Sequence, residues 1–309
     1  REIQMKQNFD TQGLRASLEK ALGFRLVVFK RLKCVNSVNF KAVREGDGLA
    51  FTVKCLPPER RFGYEMIVRH LDELQGTLAP ERLFREECPP KFGKYDLLCL
   101  KWCEGEPLFP DRLSPQQLIC FLDDYLAFSK RLQQTSSHLP IYPSATWRAT
   151  ALAKCTTGFG RLVRPFVEDC AEELSAFLPE KAGVQHGDLH PGNFAFSKGR
   201  VSGFFDIEGL TRGYPAWDII RYFMFALDHL SPLSLRRRRI TFQRFAQTVR
   251  YLPYSFEDWL TSLNVSWLEQ VHKKLENPHV GLLAALQLRL HARLYRRLRV
   301  IISENVRLS

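Results

Sequence analysis

No apolar run in this chain approaches the roughly 18 residues that span a bilayer; the densest patch, Tyr222 to Leu227, is far shorter. The N-terminal Arg1-Glu2-Ile3-Gln4 lacks the apolar stretch of a secretory signal, and it lacks a starting Met, as a trimmed fragment would. These absences predict a soluble cytoplasmic protein. No Cys-x-x-Cys occurs: Cys34, Cys55, Cys88, Cys99, Cys103, Cys120, Cys155 and Cys170 stand singly among apolar residues. A chain of 309 residues can bury a full core without disulfides, so reduced, buried thiols are expected. Internal repeats and low-complexity tracts are absent too, which speaks against a solenoid.

Acidic residues are in deficit, with 33 Asp and Glu against 45 Lys and Arg, a net charge of +12. The deficit is concentrated: Leu230 to Ser309 holds 14 Lys and Arg against five Asp and Glu. A basic face suits an anionic partner such as a phosphate, an acidic glycan or a membrane surface, and equally a plain solvated helix face.

The apolar pattern changes period along the chain. Residues 24 to 56 read as strands: Val27 to Phe40 is rich in Val and Phe, Gly46-Asp47-Gly48 is a hairpin signal, and Leu49 to Leu56 follows. Tyr64, Ile67, Val68, Leu71 and Leu74 recur at helical spacing, and Tyr95 to Trp102 is a further strand. Ser114-Pro115 then opens a helix, with Ser as cap and Pro in the first turn. Further helices are expected over 145–178, 215–229, 236–250 and 280–302. A strand-rich first part before a helical second part predicts an α+β chain of two lobes, 1–103 and 104–309.

The segment that carries chemistry is His186-Gly187-Asp188-Leu189-His190-Pro191-Gly192-Asn193, with Asp206 thirteen positions beyond Asn193. Phosphoryl transfer needs a group that positions the attacking hydroxyl and oxygen ligands that hold magnesium on the phosphates. Asp188 and Asn193, with four residues between them on one short loop, can divide these tasks, and Asp206 at the end of the apolar Phe204-Phe205 pair adds a second hard oxygen. His186 and His190 could instead belong to a metal site, but Gly187, Pro191 and Gly192 cannot hold them on one helix face.

This segment resembles the catalytic loop of the aminoglycoside phosphotransferase and choline kinase superfamily, a branch of the protein-kinase-like fold. Gly213-Tyr214-Pro215-Ala216-Trp217-Asp218 resembles that family's Gly-x-Pro-x-x-Asp segment. The resemblance implies a bilobal kinase-like fold, ATP or GTP with Mg2+ as cofactors, Asp188 as catalytic base, Asn193 and Asp206 as metal ligands, and Asp218 as a brace for the loop. In the first lobe Phe51-Thr52-Val53-Lys54 resembles the lysine strand of kinases. Strand alternation puts Thr52 and Lys54 on one face. Lys54 would meet the nucleotide phosphates, Thr52 would leave room for adenine, and Glu65, with Glu59 as rival, would hold the lysine. Leu98 to Trp102, with Leu100 and Trp102, would form the hinge of the adenine pocket. The phosphate-covering loop, Asn36-Ser37-Val38-Asn39, departs from the pattern in having no glycine, which leaves backbone amides and the Ser37 hydroxyl for the phosphates.

A protein kinase fits poorly. Gly187 stands where protein kinases carry an arginine, and Trp217 follows Asp206 by only eleven positions, too few for a peptide-docking activation segment. A non-catalytic kinase-like binding module is disfavoured by the full set Lys54, Glu65, Asp188, Asn193 and Asp206. Nucleic-acid binding lacks any motif beyond Arg236–Arg239 and the Arg-rich last helix. The expected activity is transfer of the terminal phosphate of ATP to a hydroxyl of a small molecule or glycan. The charge favours an anionic acceptor, such as a lipopolysaccharide core at a membrane surface.

Overall fold

The computed structural model describes residues 9–32, 38–57, 61–84, 91–135, 139, 164–165, 167–168, 183–231, 233–275 and 282–306. Ser37, Glu59 and most of the helix expected over 145–178 lie outside them. The chain divides into two compact units: Arg1–Gly105 with Ser202–Glu208, and Glu106–Val201 with Gly209–Ser309. A single cut after residue 103 does not account for Ser202–Glu208, which group with the first unit through hydrogen bonds such as Phe204 N–H to the Leu78 carbonyl at 2.8 Å.

The first unit is built on an antiparallel sheet ordered β1-β2-β3-β5-β4, from β1 (Leu26–Arg31), β2 (Val38–Arg44), β3 (Ala50–Leu56), β4 (Lys91–Phe92) and β5 (Tyr95–Lys101). The β2–β3 hairpin turns at Gly46 and Gly48, both at positive φ that glycine adopts freely. The register sets Thr52 opposite Lys41 and Leu100, and Lys54 opposite Asn39 and Leu98. A helix the apolar pattern did not single out, α1 (Thr11–Leu22), packs Leu14 and Leu18 against Phe40, Phe51 and Val53. The Asp10 carboxylate caps it by accepting the Gly13 amide at 2.8 Å, and Gly23 ends it in the left-handed conformation. The helix expected from the spacing of Tyr64, Ile67, Val68, Leu71 and Leu74 is α2 (Arg61–Glu73).

The second unit is mainly helical: α3 (Pro115–Leu132), α4 (Trp217–His229), α5 (Leu235–Tyr251), α6 (Phe256–Leu275) and α7 (Leu282–Val306). Its core includes the fully buried Trp217, Trp259 and Trp267. The cap expected at Ser114 forms a complete capping box: Ser114 Oγ accepts the Gln117 amide and Gln117 Oε1 accepts that of Ser114. Helices expected over 215–229, 236–250 and 280–302 correspond to α4, α5 and α7. Helix α6 was not expected: residues 262–269 are buried without interruption, so no apolar stripe alternates with a polar face. Short strands β6 (Gly183–Gln185) and β9 (Thr211–Gly213) pair antiparallel and flank the loop that carries Asp188. Strands β7 (Phe194–Ser197) and β8 (Arg200–Phe204) form a hairpin turning at Lys198 and Gly199, and Asp206 follows β8.

Candidate active site

In the second unit, the loop from His186 to Asn193 is held from below by Asp218 at the start of α4. Its fully buried carboxylate accepts the amides of His186 at 2.7 Å and Gly187 at 2.9 Å. Burial pushes the Asp218 carboxyl up, against the downward pull of His186 and of the two amides. Gly187 has φ 79°, and a Cβ there would stand 2.0 Å from the Gly209 carbonyl oxygen. Both the backbone conformation and the space demand glycine, so the missing protein-kinase arginine has a steric cause in this chain.

Asp188 is half exposed and engaged on both oxygens. Arg221 Nη2 donates to Oδ1 at 2.6 Å, and Asn193 Nδ2 donates to Oδ2 at 3.3 Å and to the Asp188 carbonyl at 2.8 Å. Burial alone would raise the Asp188 carboxyl, but the Arg221 guanidinium, assisted by His190 and His186, holds it below the usual carboxylate range. His190 stacks on Phe225 with ring centroids 4.5 Å apart, accepts the Gly192 amide at Nδ1, and brings Nε2 to 3.8 Å from Asp188 Oδ2. Among the described residues no group of three or more His, Cys, Asp or Glu is placed to hold a metal ion.

Beside Asp188 a pocket opens between α4 and α6, walled by Arg221, Phe225, Asp228, Ser266, Glu269 and Gln270. Carboxylates outnumber the single arginine, and Asp228 faces His291 at 2.8 Å. Arg236–Arg239 of α5 and Arg289, Arg293, Arg296 and Arg297 of α7 are not among its lining residues. Arg237 pairs with Asp111 at 2.6 Å, and Arg238 donates to the Leu227 and Leu230 carbonyls at the end of α4. Arg236 and Arg239 face solvent, as do Arg289, Arg293, Arg296 and Arg297 of α7.

In the first unit, Lys54 Nζ donates to Asp206 Oδ1 at 2.5 Å, with the lysine side chain 7% exposed. Asp206 sits at φ 54°, a left-handed conformation that an aspartate tolerates better than most residues and that is enriched at functional sites. Glu65 is exposed on α2 and makes no ion pair with Lys54; among the described residues Asp206 is a carboxylate partner of the lysine. The helix turns Glu65 outward while burying Ile67 and Leu71. Thr52 is half-buried in the same row of the sheet as Leu100, and Trp102 lies under Lys41, whose Nζ is 4.1 Å from its ring centroid.

A family model described as a phosphotransferase enzyme family matches residues 56–254. The chain belongs to that family. It is therefore a kinase, an enzyme that transfers phosphate to an alcohol group. Solved structures agree on the fold. Spectinomycin phosphotransferase bound to ADP and spectinomycin is 12% identical, with a TM-score of 0.59 over 96% of this chain and 98% of that one. An aminoglycoside phosphotransferase of Alicyclobacillus acidocaldarius is 14% identical, with a TM-score of 0.58 over 94% and 96%. A thermostable mutant of aminoglycoside phosphotransferase APH(4)-Ia, in a ternary complex with ADP and hygromycin B, is 15% identical, with a TM-score of 0.57 over 94% and 98%. No curated protein sequence matches the chain. The likeness is to the kinase-like α+β fold expected from the Asp188 loop.

Two functional candidates escaped the reading of the sequence. Arg221 and Glu269 lie far from Asp188 along the chain, and an arginine three residues after Asp218 carries no motif of its own. The available signal was helical: positions 218 and 221 share a face of α4, so whatever braces the loop has a neighbour there.

Proposed function

We propose that this kinase moves the terminal phosphate of ATP to a hydroxyl of a small molecule or glycan bound in the pocket beside Asp188. The observation that carries the reading is Asp188 itself: a carboxylate pinned by Arg221 and Asn193 at the edge of a pocket, on a loop braced by Asp218. A carboxylate held below its usual range is a weak base. Phosphoryl transfer, however, asks mainly for positioning of the nucleophile, and its proton can leave late. Asp188 would orient the acceptor hydroxyl and accept its proton as the new P–O bond forms. The decisive experiment is a screen of sugars, amino alcohols and glycans with Asp188→Asn alongside. Loss of positioning and proton acceptance should lower turnover about 10²–10⁴-fold with nucleotide affinity nearly intact. A variant that keeps a tenth of the rate removes Asp188 from the role.

For the nucleotide, Lys54 would meet the phosphates, with Thr52, Leu100 and Trp102 near the adenine; Glu65, being exposed, is the weakest of the expected contacts. For magnesium the residues fit. By their chemistry alone, Asn193 offers a side-chain carbonyl oxygen, its amide nitrogen being spent on Asp188, and Asp206 offers a carboxylate, the hard oxygen donors that magnesium takes. Asn193 and Asp206 would hold the ion, which when bound would supply positive charge to offset that of the phosphates. Calorimetry of Mg-ATP and Mg-GTP with wild type and Asp206→Ala tests this assignment. Weaker binding by the variant is expected, and equal affinity removes Asp206 from the metal.

An anionic acceptor, the lipopolysaccharide-core reading included, loses support because carboxylates dominate the pocket and the α5 and α7 arginines stand outside it. The same arginines favour a second reading, contact of a cytoplasmic enzyme with an anionic membrane surface. Leu233 and Leu235, 90% and 74% exposed, stand beside the solvent-facing Arg236 and Arg239. Aliphatic side chains that enter a bilayer interface and arginines that meet its headgroups are the two signals such binding needs. Vesicle sedimentation tests it. Binding to vesicles containing phosphatidylserine should exceed that to neutral ones and fall with salt, and no binding to either ends this reading.

A further inference from the structure

We infer that Arg221, held by Glu269, is the positioning residue that orients Asp188 for transfer; this rests on the reading of Asp188 as the group that meets the acceptor hydroxyl. Helix α4 carries Asp218 and Arg221 three positions apart, hence on one face. That face gives the loop two opposite charges. The Asp218 carboxylate takes the His186 and Gly187 amides, and the Arg221 guanidinium takes the next carboxylate along, Asp188 Oδ1, at 2.6 Å. Its other nitrogen, Nη1, spans both oxygens of Glu269 on α6 at 2.6 and 2.5 Å. The guanidinium carbon lies 5.3 Å from the Trp217 ring centroid, and the arginine side chain is 17% exposed. The fork is thus fixed in its plane by a carboxylate, a ring and burial before it meets Asp188.

Three features separate this from an ordinary structural ion pair. Glu269, 1% exposed at its side chain, already satisfies Arg221 and would tie α4 to α6 by itself. The third partner, Asp188, is 46% exposed at its side chain and borders the pocket, where a purely structural pair gains little. Finally, Arg221 takes only Oδ1, so Oδ2, contacted by Asn193 at 3.3 Å, is the oxygen presented to a hydroxyl. Glu269 has a second consequence. With Asp188 and Arg221 it makes a trio of net charge −1, so the arginine steers the carboxylate without leaving a bare cation beside the acceptor. A lysine could not do this work, because an ammonium is a point donor and not a planar fork reaching two carboxylates at once.

The test compares Arg221→Met, Glu269→Gln, Arg221→Met/Glu269→Gln, Arg221→Lys and Asp188→Asn. Phosphate release from Mg-ATP with water as acceptor is measured together with KM for Mg-ATP and Tm. The double variant removes both buried charges, so its Tm should return close to wild type, whereas Arg221→Met leaves Glu269 uncompensated and should melt earlier. Its kcat should nonetheless stay about 10²-fold low with KM for Mg-ATP unchanged, the loss that a misplacement near 1 Å brings. Arg221→Lys should fold and still lose about tenfold in kcat. A double variant or lysine variant that turns over within threefold of wild type, while Asp188→Asn remains slow, overturns the inference and leaves Arg221 a structural tie. If Asp188→Asn is itself as fast as wild type, the reading of Asp188 has failed and the inference falls with it.

Discussion

Gly187 and Asp218 show how single residues decide whether the Asp188 loop exists. The Gly209 carbonyl occupies the space a Cβ would need at position 187, and the backbone there has φ 79°. Gly187→Ala should therefore cost more than about 2 kcal/mol, the left-handed penalty plus a clash with backbone that cannot give way. Chemical denaturation would measure it, and a loss within 0.5 kcal/mol would show that the loop adapts. Asp218→Asn retains the shape of the side chain but turns one acceptor into a donor facing the His186 and Gly187 amides. We expect a loss of about 3 kcal/mol, since a hydrogen bond to a charged group contributes about 1.5–3 kcal/mol. Tm and turnover should fall together. Cysteine chemistry is a matter of single residues too. Burial pushes the Cys55 thiol up to about 12 and that of Cys103 to about 11. The thiolate is the reactive form, so in the native protein at pH 8 Cys55 should resist iodoacetamide and react once unfolded, as peptide mass spectrometry would show. Rapid native labelling of Cys55 would contradict its burial.

Elements are ended and joined by side chains whose work is visible only at that scale. Ser114 and Gln117 exchange hydrogen bonds at the start of α3, which carries the buried Phe121, Leu122, Tyr125 and Phe128. Ser114→Ala should lower stability by about 1 kcal/mol, as loss of an N-cap does, and no measurable change would mean the first turn frays without cost. At the other end of a helix, Arg238 of α5 donates to the carbonyls of Leu227 and Leu230 where α4 stops. In the sequence it belongs to a run of four arginines, yet the run divides its labour. Arg237 pairs with Asp111, Arg238 closes α4, and Arg236 and Arg239 face water. Arg238→Gln should destabilise the protein while Arg239→Gln should not. Within α4 itself, Asp218 and Arg221 make one helix face serve two points of the same loop.

At the scale of the molecule the exposed arginines of α5 and α7 stand outside the pocket beside Asp188. Attraction of exposed arginines to an anionic surface decays over a Debye length of about 8 Å at physiological salt. Vesicle binding should therefore fade with added salt, while turnover of a small soluble acceptor should not. A variant with Arg236–Arg239 changed to Gln should lose vesicle binding and retain transfer, apart from the stability cost at Arg238. Equal vesicle binding by that variant would detach the basic run from the membrane.

What the amino-acid order determined alone is local. Richness in Val and Phe marked β1 and β2, the Gly46-Asp47-Gly48 hairpin signal marked β3, apolar residues at helical spacing marked α2, and Ser114-Pro115 marked the start of α3, because each signal is complete within a few residues. Asp188 and Asn193 were legible for the same reason: one short loop holds both, so spacing states geometry. Helix α6 was not legible, since residues 262–269 are buried on every side and burial all round leaves no periodicity. Nor were the partners of the charged groups. Lys54 meets Asp206 where Glu65 was expected, because α2 turns Glu65 outward and Ser202–Glu208 joins the first unit. Arg221 reaches Asp188 across 33 residues and Glu269 across 48. Separations of that size are closed by the packing of α4 against its neighbours, and a carboxylate's partner is whichever cation that packing brings within 3 Å. Residue order names the groups that can do the chemistry; only the fold chooses which of them touch.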